Sequence, residues 1–239
     1  MILAYHRVAS NKALEAILES GQIVPAIFRL HPDKISALCN ELVEPYRGTL
    51  MESALGELVE EALNYFASMR IGSGTHETAL KCEDILAGDA GRIFLSPGNW
   101  SEAGRGLGWP LSGFAFDAEH LIQEGAAYRP DDIGSRFSGV ILKVSEKQAT
   151  SVEETKDMVV NGFNELLSKE QLFGDQALKE IEIYRLQQGE ELTPPYERRK
   201  RNWHSGDEIL WDGPIPVEWA VEIWRDDRIV ESKILAMAS

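Results

Sequence analysis

The sequence predicts an α+β fold in which a single domain spans residues 1–239. Helix patterns are concentrated in the first half of the chain, whereas strand patterns occur at both ends and in the middle. No internal repeat or linker-like segment divides the sequence, so we expect the scattered strands to form one sheet.

Helix patterns in the first half of the chain have recognisable ends. Ser10 or Asn11 can cap a first helix, which Gly21 can end in a left-handed backbone conformation. Apolar residues recur at helical spacing across residues 33–43, and a capping-box spacing opens a longer helix at Thr49. The longer helix carries one continuous apolar stripe, which predicts that one of its faces is buried.

Strand patterns continue into the second half, where one capping box interrupts them. Ser151 and Glu154 have the capping-box spacing and predict a helix in this part of the chain. Residues 217–224 carry a bulky apolar side chain at every second position, which is typical of a half-buried strand. The other strand candidates are residues 1–5, 92–96, 113–116, 139–144 and 181–186.

Composition and charge exclude several classes of protein. Hydrophobic residues make up 44% and charged residues 26% of the chain, which is typical of a globular protein and not of a disordered one. The formal net charge of −15 repels phosphate backbones and excludes a general nucleic-acid coat protein. No apolar run approaches the ~20 residues that cross a bilayer, so we expect no membrane partner.

The two cysteines, Cys39 and Cys82, lie in apolar helical patterns. We interpret them as buried free thiols and not as a disulfide framework, because isolated buried cysteines behave as small apolar side chains. Free thiols are typical of a reducing compartment, so a cytoplasmic location is expected.

Four short segments carry side chains that could perform chemistry. His6 and Arg7 follow the first apolar run, and Ser96 ends another strand beside a loop rich in glycine and tryptophan. Glu208 opens the apolar segment 209–211, where we expect its carboxylate to be partly desolvated. The fourth segment is a loop with four consecutive cations, namely Arg198, Arg199, Lys200 and Arg201, followed by Trp203 and His204. Taken singly, each segment has an ordinary structural explanation: a core histidine, a turn, a strand end or a solvated loop.

The order of these segments is more specific than any one of them. Residues 5–10 combine a strand, a histidine motif and a helix start; residues 92–97 form a second motif, and residues 206–208 lead into a strand that begins with an acid. Together they resemble the three motifs of the ADP-ribosyltransferase superfamily, in the His-Tyr-Glu branch that includes the poly(ADP-ribose) polymerases and DarT-like toxins. Residues 113–132 look like a strand–helix–loop of DarT-like members, and residues 33–90 are expected to be a helical insertion.

The resemblance implies a split, twisted, mainly antiparallel sheet and NAD as co-substrate. It implies cleavage of the nicotinamide–ribose bond and transfer of ADP-ribose to a macromolecule, as in a toxin or defence factor. Glu208 would then stabilise the positive charge that develops on the ribose, and it could also orient or deprotonate the acceptor. His6 would hold a ribose hydroxyl of the adenosine half, and Ser96 would support Glu208 or the nicotinamide ribose. Arg7 or Arg92 would face the pyrophosphate.

The sequence departs from the resembled pattern in its second motif, which has no tyrosine. The ring that stacks on nicotinamide must therefore come from elsewhere, and Trp100 or Trp109 is the candidate. Arg7 also replaces the small residue that usually follows the first-motif histidine. The residue two before Glu208 is Gly206 and not an acid, which makes a protein arginine a less favoured acceptor.

The basic loop before Glu208 predicts the acceptor. Four cations with a neighbouring aromatic ring favour phosphate neutralisation and base stacking, so RNA or DNA is slightly favoured over protein. The residues assigned to acceptor binding are Arg198, Arg199, Arg201, Trp203 and His204. An antitoxin or inhibitor protein is a further expected partner.

Two other functions use the same residues. His6 and His204 could exchange protons in a metal-independent ribonuclease, with a cation steadying the phosphate. A compact acidic domain could also act without catalysis, as an inhibitor or interaction module that imitates nucleic-acid charge. The five histidines show no metal-ligand spacing, so we expect no metal site.

Overall fold

The computed structural model describes residues 2–8, 10–30, 32–68, 81–97, 112–130, 134–187 and 208–233. The chain divides into two units. The sheet unit comprises residues 1–23, 93–132 and 171–239, and the helical unit comprises residues 24–92 and 133–170. The segment expected as a helical insertion, residues 33–90, lies within the first part of the helical unit.

The described residues form nine strands and eight α-helices. The strands are β1 (Leu3–Val8), β2 (Gln22–Ile23), β3 (Arg92–Pro97), β4 (Ser112–Asp117), β5 (Ala127–Arg129), β6 (Glu208–Asp212), β7 (Ile215–Pro216), β8 (Ala220–Arg225) and β9 (Arg228–Ser232). The helices are α1 (Asn11–Ser20), α2 (Pro32–Val43), α3 (Leu50–Ser68), α4 (Cys82–Leu86), α5 (Ala118–Gln123), α6 (Gly134–Ser145), α7 (Val152–Glu170) and α8 (Gly174–Gln187).

Seven of these strands form one sheet in the order β5-β6-β3-β1-β4-β8-β9, and β2 pairs with β7. Every pair whose register is described is antiparallel, which confirms a mixed α+β fold with an antiparallel sheet. Strand β1 pairs with β4 along its whole length, but its described ladder with β3 holds only two residue pairs. The three motif strands β6, β3 and β1 are therefore consecutive neighbours in the sheet.

One face of this sheet forms the core of the sheet unit. Ile93 and Leu95 of β3 lie in it with residues of α1, α5 and α8, including Leu14, Leu121 and Ile181. Because side chains alternate along a strand, the side chains of Phe94 and Ser96 lie on the opposite face of the sheet.

Local signals explain the helix ends that the sequence predicts. The Ser10 hydroxyl accepts a hydrogen bond from the Ala13 amide at 3.2 Å, and Gly21 ends α1 at φ +72°. Thr49 accepts from the Glu52 amide at 3.4 Å, and the Glu52 carboxylate accepts from the Gly48 amide. The helix predicted from the second capping box is confirmed as α7.

The expectation that helices concentrate in the first half was wrong, as were two of the predicted strands. Residues 139–144 lie in α6 and residues 181–186 lie in α8. The helical spacing is visible only when earlier residues are included, because Phe137, Ile141 and Val144 together face one apolar cluster. Of the strand predicted at 217–224, only the part from Ala220 onward forms β8.

The prediction of free thiols was also wrong, because Cys39 and Cys82 form a disulfide. Their Cα atoms are 4.9 Å apart, and both side chains are buried in the helical unit. The bond joins α2 to α4 across 43 residues of sequence, a contact that the pattern of each helix alone does not reveal. The argument from cysteine usage to a reducing compartment therefore loses its basis.

Among the described residues, no helix combines the length and the apolar character that crossing a membrane requires.

Candidate functional site

The candidate site begins at the first residue of β6, Glu208. Its backbone lies directly opposite Arg129, the last residue of β5. Both the Nε and the Nη2 of Arg129 donate to Oε2 of Glu208, at 2.9 and 2.5 Å. Opposite charges at facing positions of neighbouring strands attract each other, and here two donors fix one carboxylate oxygen.

The two partners of this pair differ in burial. The Arg129 side chain is 1% exposed, whereas that of Glu208 is 21% exposed. The Glu208 side chain is thus partly withdrawn from water, as expected, and the cation that pairs with it is completely buried. A buried cation at hydrogen-bond distance favours the ionised form of the carboxyl group. The Glu208 carboxylate is consequently held in a defined orientation at a partly open position.

The neighbouring strand β3 contacts this pair through Phe94. The guanidinium carbon of Arg129 lies 5.6 Å from the centre of the Phe94 ring, which is a cation–π contact. The backbone carbonyl of Phe94 lies 3.3 Å from Nδ1 of His6. His6 belongs to β1, which neighbours β3 on the side away from β6. Phe94 therefore joins the strand of His6 to the pair of Arg129 and Glu208.

The ring of His6 contacts strand β3 from the core side of the sheet. Alternation along β1 places His6 on the core side, with Ala4 and Val8. The described ladder between β1 and β3 holds only the pairs Ala4↔Pro97 and Tyr5↔Ser96. The ring of His6 thus contacts β3 just beyond that ladder, at the Phe94 carbonyl.

Ser96 and Arg7 lie on the face opposite the core. Ser96 is two residues beyond Phe94 on β3 and faces Tyr5, and Arg7 is two residues beyond Tyr5 on β1. Arg7 is half-buried, and burial lowers the pKa of its guanidinium group from the usual value. Within the described part of the chain, Arg7 forms no ion pair.

Arg92 takes part in a different contact. Its Nη1 lies 3.2 Å from Oδ1 of Asp89, and the Asp89 side chain is only 2% exposed. The pairing engages Arg92 with a buried carboxylate three residues away. Of the two arginines predicted to face a pyrophosphate, Arg7 is therefore the better placed to receive an external anion.

Several predicted site residues lie outside the described part of the chain. These are Trp100 and Trp109, which were candidates for nicotinamide stacking, and the acceptor-binding residues Arg198, Arg199, Arg201, Trp203 and His204. Their assignment stays a prediction from the sequence.

No protein-family model, curated protein or solved structure matches this chain. Any function must therefore be argued from the residues themselves.

Sequence reasoning missed Arg129 and Phe94, which hold the candidate acid in place. The available signal was the position of a charged residue directly after Ala127 and Tyr128 in an apolar stretch. An arginine at the end of a buried strand needs a carboxylate partner, because an unpaired buried charge is costly. The search for that partner would have pointed to an acid at the start of another strand.

Among the described residues, no cluster of His, Cys, Asp and Glu side chains is arranged to hold a metal ion.

Proposed function

We propose that this protein is an NAD-dependent ADP-ribosyltransferase that cleaves the nicotinamide–ribose bond and transfers ADP-ribose to a macromolecular acceptor. The observation that carries the proposal is the position of Glu208. The acid begins a strand, is oriented by a buried arginine, and is linked through Phe94 to the strand of His6. The three motifs that resemble the superfamily thus lie on neighbouring strands of one sheet. The proposal includes the finer fold assignment, a sheet of the ADP-ribosyltransferase type.

The reaction places a specific demand on Glu208. The bond between C1′ of the ribose and the nicotinamide nitrogen breaks, and its electron pair leaves with the now neutral nicotinamide. The ribose becomes oxocarbenium-like, and a carboxylate that accepts a hydrogen bond from a ribose hydroxyl stabilises that charge. The acceptor then forms a bond to C1′ and releases its proton to the surrounding water. Because two donors of Arg129 hold Oε2 of Glu208 in one orientation, we assign the acid to charge stabilisation.

Neighbouring residues would bind the rest of NAD. Arg7 is half-buried on the same face as Ser96, and its charge suits the pyrophosphate. Ser96 would support the nicotinamide ribose. The predicted role of His6 in holding a hydroxyl of the adenosine ribose is not part of this proposal, because its side chain lies on the core side of β1, the opposite face from Arg7 and Ser96. Trp100 is proposed as the ring that stacks on nicotinamide.

The acceptor proposal depends on the basic loop before Glu208. Residues 198–201 carry four consecutive cations in a chain of net charge −15, which favours RNA or DNA slightly over protein. A toxin or defence role, with an antitoxin or inhibitor protein as partner, belongs to the same proposal.

The test is incubation of the protein with NAD labelled in the adenylate moiety, together with RNA, DNA or a protein extract in separate reactions. We expect release of nicotinamide in every reaction that supports transfer, and label on at least one acceptor class. Absence of both label and nicotinamide would contradict the proposal. Cleavage of RNA without NAD would instead favour the ribonuclease that uses His6 and His204.

A further inference from the structure

One ion pair of the described sheet joins two residues that are far apart in sequence. Arg129 and Glu208 are 79 residues apart, and they meet because β5 and β6 pair in register. Two nitrogens of the guanidinium converge on Oε2 of the acid. A guanidinium holds a carboxylate in one orientation more strictly than an ammonium does, because its donors have a fixed planar geometry.

Burial of this arginine calls for an explanation beyond stability. Arg129 is the largest of the described residues whose side chain is almost completely buried. Removing a cation from water is costly, and well-packed apolar residues are often at least as stabilising as a buried ion pair. The neighbours Ala127 and Tyr128 show that β5 otherwise carries apolar or aromatic side chains. A charge at this position is therefore better explained by what it does to Glu208.

The surroundings of Arg129 restrict the guanidinium further. The Phe94 ring lies beside it at 5.6 Å, and Phe94 is also the residue whose carbonyl contacts His6. A shift of the guanidinium would therefore disturb both Glu208 and the neighbouring strand. This arrangement is typical of a residue that orients a functional side chain through contacts of its own.

We propose that Arg129 is the positioning residue for Glu208: it holds the carboxylate in the orientation that the transition state requires. This inference rests on the proposed function. Arg129 itself touches neither NAD nor the acceptor in the proposal, and it acts through Glu208 alone.

The experiment compares nicotinamide release from NAD by the wild type and by Arg129→Lys, Arg129→Met and Arg136→Met. Arg136 is the matched control, because it forms an ion pair with Glu170 in which both side chains are more than a quarter exposed. Steady-state rates are measured as a function of NAD concentration, and circular dichroism checks that each variant is folded. Arg129→Lys retains a cation if Arg129→Met fails to fold.

We expect kcat of Arg129→Lys to fall about 100-fold with little change in KM, because a misplaced catalytic group costs rate more than substrate binding. A fall in kcat with an unchanged KM in a folded variant is a change that a purely structural role would not cause. Arg136→Met should behave as the wild type.

Two negative outcomes are distinguishable. If the wild type releases nicotinamide and folded Arg129→Lys keeps its kcat, the positioning role is refuted and the proposed function stands. If the wild type releases no nicotinamide under any condition, the proposed function fails and this inference fails with it.

Discussion

The sheet unit and the helical unit connect distant parts of their sequence by different chemistry. In the sheet unit, a buried ion pair of Arg129 with Glu208 joins β5 to β6. In the helical unit, the disulfide of Cys39 and Cys82 joins α2 to α4. Helices α3 and α7 are in addition linked by Lys156, whose acidic partners are at least half exposed.

The difference indicates where a function is to be sought. A disulfide and exposed ion pairs are sufficiently explained by stability, because the first restricts the unfolded chain and the second are individually weak. A fully buried arginine paired with a partly open carboxylate is a poor way to gain stability alone. The contrast therefore supports a chemical role for the sheet unit, and it predicts that substitutions in the two units have different effects.

The largest expected effect on stability comes from the disulfide. Replacement of Cys39 and Cys82 by serine should lower the free energy of unfolding by about 4 kcal/mol, because the bond closes a loop of 43 residues. Urea unfolding of the oxidised wild type and of the double variant measures this difference. Identical midpoints would show that the helical unit does not depend on the bond.

The next largest effect tests the close approach of β1 and β4. Gly113 has φ +156°, and a Cβ atom there would lie 2.1 Å from the carbonyl oxygen of His6. Gly113→Ala must push the two strands apart beside His6, and we expect a loss of about 3 kcal/mol. Thermal unfolding measures the loss, and an unchanged midpoint would contradict the described register.

The same substitution in the helical unit should have the opposite sign. Gly56 lies exposed in α3, and a Cβ atom there would have no neighbour within 4 Å. Gly56→Ala should raise the free energy of unfolding by about 1 kcal/mol, because alanine favours the helix more than glycine does. A destabilised variant would show that the packing around α3 differs from the one described here.

The smallest expected effect depends on pH and concerns Asp84, at the start of α4. Burial, which outweighs a hydrogen bond from the Lys81 amide, raises the pKa of Asp84 from 3.8 to about 6. The folded state therefore holds this proton more tightly than the unfolded state, and the stability it contributes is lost as the pH rises from about 4 to above 6.

Asp84→Asn cannot ionise, so this variant should not lose stability as the pH rises. Its amide oxygen can still accept the hydrogen bond from the Lys81 amide. We expect the variant to match the stability of the wild type at pH 4 and to be more stable at pH 7. The gain should be smaller than the full pKa shift of Asp84 implies, because the carboxyl group is partly solvated. Unfolding midpoints across this range measure the effect, and parallel curves for the two proteins would contradict it.

Helix ends and central strands could be predicted from the sequence because their causes are local. Ser10 caps α1 and Thr49 caps α3 through atoms within three residues of each other, as the spacing indicates. The apolar strand at 113–116 and the strand at 92–96 are equally visible as short runs. Residues 139–144 were assigned wrongly, because a short apolar run fits a buried strand and a helix equally well.

The contacts that define the candidate site depend on pairing between distant segments. Glu208 was predicted as the candidate acid because it opens an apolar segment and matches the resembled third motif, which are local features. Arg129 was missed because its role depends on a partner 79 residues away and on the register of β5 with β6. The disulfide was missed for the same reason, since neither helix pattern shows which cysteine faces the other.

The most direct test of the central claim is the rate of nicotinamide release from NAD by Glu208→Gln, with Glu231→Gln as its matched control. Glu231 is an exposed acid on β9, the last strand of the sheet. Circular dichroism confirms folding, and Glu208→Asp provides a variant that keeps a charge beside Arg129. The account predicts a loss of about 100- to 1000-fold for Glu208→Gln and the wild-type rate for Glu231→Gln. A folded Glu208→Gln protein that releases nicotinamide at the wild-type rate would contradict it.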